Sequence, residues 1–226
     1  MNEEQICRQY GEILRKCCIF EGIPESEYAE LLEYLRAEVR HFGENESILK
    51  IGDTKIPSGI VLSGRAEQLF YSGFVQADET QIGEGDIFGT ALVCSEPHES
   101  TVKIRTVTEC DILFLDMSVF FGQSYPCGSQ MRIAANMMRL LACQNIFLDT
   151  KLRIYSQRTL RNKVLAYLYS MPSENGIVQL PFNQTKLAQF LGVNRSALSR
   201  ELGRMVDEGI IKTDGKTIEI IKKAAP

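Results

Sequence analysis

The sequence predicts an α+β chain: an N-terminal domain of short antiparallel strands, one long helix, and a C-terminal winged helix-turn-helix. Three observations carry that reading. Between about residues 41 and 116, glycines recur at positions 43, 52, 59, 64, 73, 83, 85 and 89, separated by short runs of strand formers. Residues 128–152 hold an apolar seam with alternating spacings of three and four. The stretch TKLAQFLGVNRSALSRELGRM (185–205) is followed by IIKTDGKTIEII (210–221), two helices and then a hairpin.

Ahead of the strands, PESEYAELLEYLRAEVR (24–40) reads as a helix. Pro24 and Ser26 signal its start, and Tyr28, Leu31, Leu32 and Leu35 form an i, i+3, i+4, i+7 stripe. The strand-like runs are SILKI, GIVLS, AEQLFY, TVKIRTV and DILFLD. Glycine-punctuated alternating segments of this kind build a small antiparallel sandwich or barrel, which can be filled or can hold one ligand. The seam over 128–152 contains Ala134, Met137 and Met138, Leu141, Asn145, Leu148 and Leu152. It predicts a parallel dimer helix, with Asn145 as a register-setting polar residue. A further helix is expected over 157–171, after a hinge near 154–156.

In the C-terminal stretch, Asn183 is the expected N-cap of a helix over 183–191, and Gly192 the turn residue. Asn194 is the expected N-cap of a second helix, about 195–208. At 100° per residue, Leu198, Leu202, Met205 and Val206 cluster on one side of that helix. Ser196, Ser199, Arg200 and Gly203 cluster on another, with Arg195 at the border. An α-helix fits the major groove of duplex DNA, and arginine can hold guanine O6 and N7 with two hydrogen bonds. Arg195 and Arg200 are therefore candidate base readers. Asp214-Gly215 centres the hairpin, which reads as a wing, and Lys216 at its tip is a candidate phosphate contact.

Charge supports a polyanionic partner. Residues 1–150 hold 12 basic and 23 acidic side chains, a balance of −11, while residues 151–226 hold 13 and 6, a balance of +7. The amino terminus, MNEEQICRQY, lacks the basic and apolar segments of a signal peptide, and no run of 18 apolar residues occurs. A cytoplasmic protein without a membrane partner is expected. The seven cysteines, Cys7, Cys17, Cys18, Cys94, Cys110, Cys127 and Cys143, are odd in number and suit reduced thiols rather than a disulfide framework. No P-loop and no Gly-x-Ser-x-Gly motif is present. A cupin-type metal enzyme would need several histidines, and only His41 and His98 exist. The expectation is a DNA-binding protein and not an enzyme. A ligand-binding regulatory subunit would share the β domain but would not need the helix-turn-helix.

Nearly the whole chain resembles the Crp/Fnr transcription regulators, most closely in TKLAQFLGVNRSALSREL and DGKTI. GIVLSGRAEQL and GEGDIFG resemble the jelly-roll type β-roll of that family's cyclic-nucleotide-binding domain. The resemblance implies an effector-sensing β-roll (1–127), a dimerisation helix and hinge (128–155) and a DNA-binding domain (156–226). It implies a homodimer on a near-palindromic operator in double-stranded DNA, contact with RNA polymerase, and allosteric control by a small-molecule or redox effector. Arg195, Ser196 and Arg200 match the family's base-reading positions, and Ser199 a serine used by Fnr-like members. Asn183, Gln184 and Asn194 match backbone-contacting positions. Many members have glutamate at Ser196, so a different operator is implied. The cyclic-AMP binders of the family carry Gly-Glu and Arg-Ser or Arg-Thr where this chain has Gly89-Thr90 and Ser100-Thr101. Those four residues mark the effector pocket, and the arginine that would meet a phosphate is missing. Lys103 and Arg105 lie in the next strand-like run. An iron–sulfur cluster would call for a different cysteine spacing from that of Cys7, Cys17 and Cys18. Haem would have to use His41 or His98. The effector and any cofactor stay unassigned, with no strong signal for cyclic AMP, haem or an iron–sulfur cluster.

Overall fold

The computed structural model describes the chain except residues 55–57, 73–74, 94–98, 122–127, 175, 182 and 222–226, and except the side chains of 71–72, 75–79, 92–93 and 174. Cys94, His98 and Cys127 lie outside the described residues. The chain forms two compact units, Met1–Cys143 and Gln144–Pro226.

The first unit opens with helix α1 (Glu3–Lys16), which the apolar pattern alone left unread. Its signals are present in retrospect. Asn2 and Gln5 form a capping box: the Asn2 side chain accepts from the Gln5 amide at 2.9 Å, and the Gln5 side chain accepts from the Asn2 amide at 3.1 Å. Ile6, Tyr10 and Leu14, four apart, are all buried. The helix expected over 24–40 is much shorter. A 3-10 turn (Glu25–Glu27) leads into α2 (Tyr28–Tyr34), and Glu38–Phe42 is strand β1. The stop is a Schellman motif, in which Arg36 takes a left-handed φ of 49°. The amides of Arg36 and Ala37 reach back to the carbonyls of Glu33 and Leu32. Arginine stands where glycine usually signals such a stop, and its guanidinium is held by Asp116 at 3.0 Å.

Seven further strands follow: β2 (Ser47–Leu49), β3 (Ser58–Ser63), β4 (Ala66–Ser72), β5 (Val75–Ile82), β6 (Ile87–Phe88), then, after the short helix α3 (Thr90–Val93), β7 (Val102–Thr106) and β8 (Cys110–Leu115). They make two antiparallel four-stranded sheets, ordered β1-β8-β3-β6 and β2-β7-β4-β5. Strands β3 and β8 are buried on both faces, and their alternation shows why. Val61, Ile112 and Phe114 face the second sheet and pack with Leu49, Ala66, Val102 and Ile104. Ile60, Leu62, Leu113 and Leu115 face the other way, onto α1 and α2. Each such side chain, fully buried, contributes about 1.5–3 kcal/mol. The layers are thus helices, sheet, sheet. Gly64 makes the tight β3–β4 connection: its φ is 84°, and a Cβ there would lie 2.1 Å from the Glu109 carbonyl oxygen.

Helix α4 (Gly128–Tyr155) begins in the first unit and ends in the second. Ile133, Asn136 and Met137 are buried on the first unit's core. Met137 therefore departs from the expected seam, because its place on the helix faces the core of its own unit. Met131, Met138, Leu148 and Leu152 stay more than half exposed. Ala134 and Leu141 are half-buried and Asn145 is exposed.

In the second unit, α5 (Leu160–Ser170) starts at Thr159, whose hydroxyl accepts from the Asn162 amide at 3.1 Å. Strands β9 (Ser173–Glu174) and β10 (Ile177–Gln179) precede α6 (Gln184–Phe190) and α7 (Arg195–Asp207), and β11 (Ile211–Asp214) and β12 (Thr217–Ile220) close the unit. The expected wing hairpin is present, and it is part of a four-stranded sheet ordered β11-β12-β10-β9. Val178, Leu187, Leu191, Leu198, Leu202, Met205, Ile211 and Ile218 share one core with α5. Val206 does not join them. It is 39% exposed and lines a hollow of about 350 Å³ with Ile177, Lys212 and Thr217.

Candidate nucleic-acid interface

The two helices α6 and α7 are set by their caps and by the turn between them. The Asn183 side chain accepts from the Lys186 amide at 3.1 Å and starts α6. Gly192 turns the chain at φ 65°, and the Val193 amide reaches back to the Ala188 carbonyl at 2.9 Å. That geometry needs glycine because a Cβ strains the left-handed region. The Asn194 side chain accepts from the Ser196 amide at 2.8 Å and starts α7. Tyr155, the last residue of α4, donates its hydroxyl to the Phe190 carbonyl at 2.9 Å and steadies the end of α6.

Leu198, Leu202 and Met205 bury one side of α7. Arg161 of α5 clamps a second side. Its guanidinium donates to Glu201 at 2.7 Å and to both oxygens of Glu208 at 2.6 and 2.8 Å. Glu208 and then Glu201 push the Arg161 group still further toward its charged form. The remaining side carries Arg195, Ser196, Ser199 and Arg200, all exposed. Arg161 is thus spent on positioning, whereas Arg195 and Arg200 make no ion pair among the described residues. The sequence offered no sign of this division, since all three arginines look alike in it.

Ser196 is more constrained than its sequence suggests. Its hydroxyl donates to Asn194 Oδ1 at 2.7 Å. With its proton engaged, the oxygen is left as an acceptor, which suits a base amino group. Gln184 and Lys216 are exposed, the latter in the turn between β11 and β12. The Lys216 carbonyl accepts from the Leu180 amide at 2.8 Å, which ties the wing tip to the strand β10 side of the sheet.

The expected effector residues are arranged differently. Gly89 has a φ of 79° and leads into α3, where Thr90 is buried. Ser100 is buried and engaged locally: its hydroxyl donates to the Val102 carbonyl at 2.8 Å. Thr101 is exposed. Ser100 and Thr101 therefore do not present two hydroxyls to one ligand. Arg105 is not free either, because Glu67, with a side chain only 9% exposed, holds it at 2.5 Å on the outer face of the second sheet. His41 donates or accepts through Nδ1 at 2.9 Å to Asp111, which also takes the Tyr10 hydroxyl at 2.8 Å. Among the described residues no three His, Cys, Asp or Glu side chains converge as a metal site.

Residues 162–225 match the model of the Crp-like helix-turn-helix domain. The chain is 24% identical over 209 residues to the cyclic AMP receptor protein of Thermus thermophilus, covering 91% of this chain and 93% of that one. It is 22% identical to the electron transport regulator A of Shewanella oneidensis, covering 79% and 72%. The fold matches the crystal structure of the Thermus thermophilus catabolite activator protein, with a TM-score of 0.54 at 21% identity over 90% of this chain and 93% of that one. It also matches a CooA variant from Carboxydothermus hydrogenoformans, with a TM-score of 0.54 at 18% identity over 87% and 88%.

Residues 162–225 are a Crp-like helix-turn-helix domain, and the chain as a whole shares the fold of the Thermus thermophilus catabolite activator protein.

The first unit shares the fold of that activator's N-terminal half, and the helix-turn-helix marks a DNA-binding protein. Among the described residues, no helix of the chain is long and apolar enough to cross a membrane.

Proposed function

We propose that the chain is a Crp/Fnr-type transcription regulator that binds a near-palindromic operator as a homodimer, reading bases with Arg195, Ser196, Ser199 and Arg200. The observation that carries this is the outward side of α7, where two arginines without ion-pair partners among the described residues sit in the helix's first two turns. The N-terminal end of such a helix is where base contacts concentrate. Asn183, Gln184, Asn194 and Lys216 then hold the phosphate backbone and fix register without reading sequence. The exposed apolar stripe of α4, with Ala134, Met138, Leu141, Asn145 and Leu148, pairs two copies. The two α7 helices then meet major grooves about 34–36 Å apart.

The β-roll senses an effector and biases the regulator between DNA-competent and incompetent states. Thr90 and Ser100 are buried with no ion pair among the described residues beside them, which supports a ligand with little negative charge. The regulator works in the cytoplasm with RNA polymerase, and it performs no catalysis of its own.

Selection of bound duplexes from a random library, followed by footprinting, tests the reading. The expected result is a two-fold symmetric site with half-sites one helical turn apart, and an affinity that falls linearly against salt on logarithmic axes. Recovery of unrelated sequences with equal affinity would remove base reading from α7.

A further inference from the structure

Two adjacent cysteines stand where α1 ends, and DNA binding uses neither. Cys17 is buried and Cys18 is exposed, both as free thiols. The Cys17 thiol, hydrogen-bonded to the Cys18 sulfur, holds Cys18 down to about 7 against the opposing effects of burial and of Asp86 and Glu21. The same hydrogen bond and then burial keep Cys17 protonated. The pair therefore consists of an exposed nucleophile and a buried thiol that can resolve it.

The surroundings give the pair a route to α4. Cys18 begins a 3-10 turn, Cys18–Phe20, whose side chains Ile19 and Phe20 are fully buried in the helical layer. The carbonyls of Ile19 and Glu21 both accept from one side-chain amide, Asn136 Nδ2 of α4, at 3.0 and 2.9 Å. Asn136 is itself buried. The β5–β6 turn lies against the other side: a Cβ on Gly85 would sit 3.2 Å from Lys16 Cβ.

We propose that Cys17 and Cys18 are a thiol switch, oxidised by hydroperoxides to a disulfide between adjacent residues, which loosens the Ile19 and Glu21 carbonyls from Asn136. The Cys18 thiolate attacks the terminal oxygen of the hydroperoxide. An S–O bond forms and the O–O bond breaks, and the departing alkoxide or hydroxide takes a proton to leave as alcohol or water. Cys18 is now a sulfenic acid, oxidised by two electrons, and the hydroperoxide is reduced by two. The Cys17 sulfur then displaces the hydroxyl, an S–S bond forms, the S–O bond breaks, and the Cys17 proton leaves with the hydroxyl as water.

The consequence for the backbone is geometric. Adjacent Cα atoms lie about 3.8 Å apart, whereas disulfides span Cα separations of about 4.4–6.8 Å. That separation is fixed by the peptide unit, so ring closure strains the Cys17–Cys18 peptide itself and turns ψ of Cys17, now 126°, and φ of Cys18, where the 3-10 turn begins. That turn carries the Ile19 carbonyl, and its C-cap residue Glu21 carries the other carbonyl that Asn136 holds. Strain of this kind also makes a disulfide easy to reduce, which gives the switch its return path.

The test uses the reduced full chain and hydrogen peroxide as probe, followed by alkylation and tryptic mapping. Cleavage after Lys16 and Arg36 places both cysteines in one peptide. The expected result is loss of both alkylation sites and of about 2 mass units from that peptide, ahead of any oxidation of Cys143, which is exposed but has no adjacent cysteine. Cys17→Ser should trap a dimedone-reactive sulfenic acid at Cys18, and Cys18→Ser should react slowly. A peptide that keeps both alkylations at doses that oxidise Cys143 would overturn the chemistry. Amide hydrogen exchange over residues 130–143 tests the coupling. Oxidation should speed it several-fold, Asn136→Ala should do the same in reduced protein, and exchange unchanged by oxidation would overturn the link to α4. Both readouts are independent of DNA, so they stand or fall apart from the operator reading.

Discussion

The β-roll and the winged helix-turn-helix use polar side chains in opposite ways. In the roll, Thr90 and Ser100 are buried, and the Ser100 hydroxyl donates to the Val102 carbonyl. Arg105 is neutralised by Glu67. On α7, Arg195 and Arg200 point outward with no ion pair among the described residues, while Arg161 takes up Glu201 and Glu208 and Arg204 also reaches Glu201. The difference follows from the size of the partner. A duplex is met by an open, cationic, rigid helix face. The small ligand proposed for the roll would have to displace contacts that the roll already makes among its own groups. The charge split of −11 and +7 is the sequence-level trace of the same division.

This contrast can be broken from either side. The largest effect is expected from Leu113→Ala, which empties a position buried between β8 and the helical layer. Urea unfolding should lose about 2–5 kcal/mol for the first unit, and the second unit's transition should stay in place. Leu141→Asp should come next. It sets an unpaired charge in the α4 stripe and should turn the proposed dimer into monomers in sedimentation, with the helical signal retained. Arg200→Ala should lower discrimination between operator and unrelated duplex by about 1–3 kcal/mol and leave the dimer intact, as measured by competition binding. An unchanged footprint would defeat the assignment. Lys216→Ala should weaken all duplexes alike and reduce the salt slope by about 1.

The smallest effect concerns pH and belongs to the roll alone. The Asp111 hydrogen bond raises His41. Burial of Asp111 works to raise its own carboxyl, but hydrogen bonds from His41, Tyr10 and Ser63 outweigh it and hold the group below the usual range. A raised histidine contributes stability below its unfolded value of about 6.5 and loses it as pH rises through the folded value. A lowered carboxylate contributes stability above its unfolded value and loses it as pH falls through the folded one. The pair is therefore strongest in mildly acid solution. His41→Asn should lower the urea midpoint slightly at about pH 5.5 and not at about pH 8. An equal loss at both pH values would remove the charge from the explanation.

Much of the DNA-binding module was legible because its signals are local. Asn183, Gly192, Asn194 and Asp214-Gly215 each act within a few residues of themselves, through a cap or a turn. Strands β2, β3, β4, β7 and β8 were legible from their alternation for the same reason, whereas β1 was read as helix and β5, β6, β9 and β10 went unread. One miss was local, since the capping box and repeat of α1 went unread, and the other errors fell where distant contacts decide. The helix over 24–40 stopped early because Arg36 adopts a left-handed turn and Asp116, eighty positions away, holds its side chain. Met137 fitted an apolar repeat on α4, but a repeat does not say which core it serves. Val206 sits on the apolar side of α7 by angle, yet the sheet beneath leaves it exposed.

Periodicity, caps and charge are properties of neighbouring residues, and they are enough to specify a β domain, a long helix and a cationic helix-turn-helix. Which arginine is a clamp and which is open depends on carboxylates brought in from 40 and 47 positions away. Which of the two adjacent cysteines is buried and which is exposed depends on the helical layer packed against Cys17. Those assignments belong to tertiary structure, because a side chain's reactivity is set by what folding places beside it.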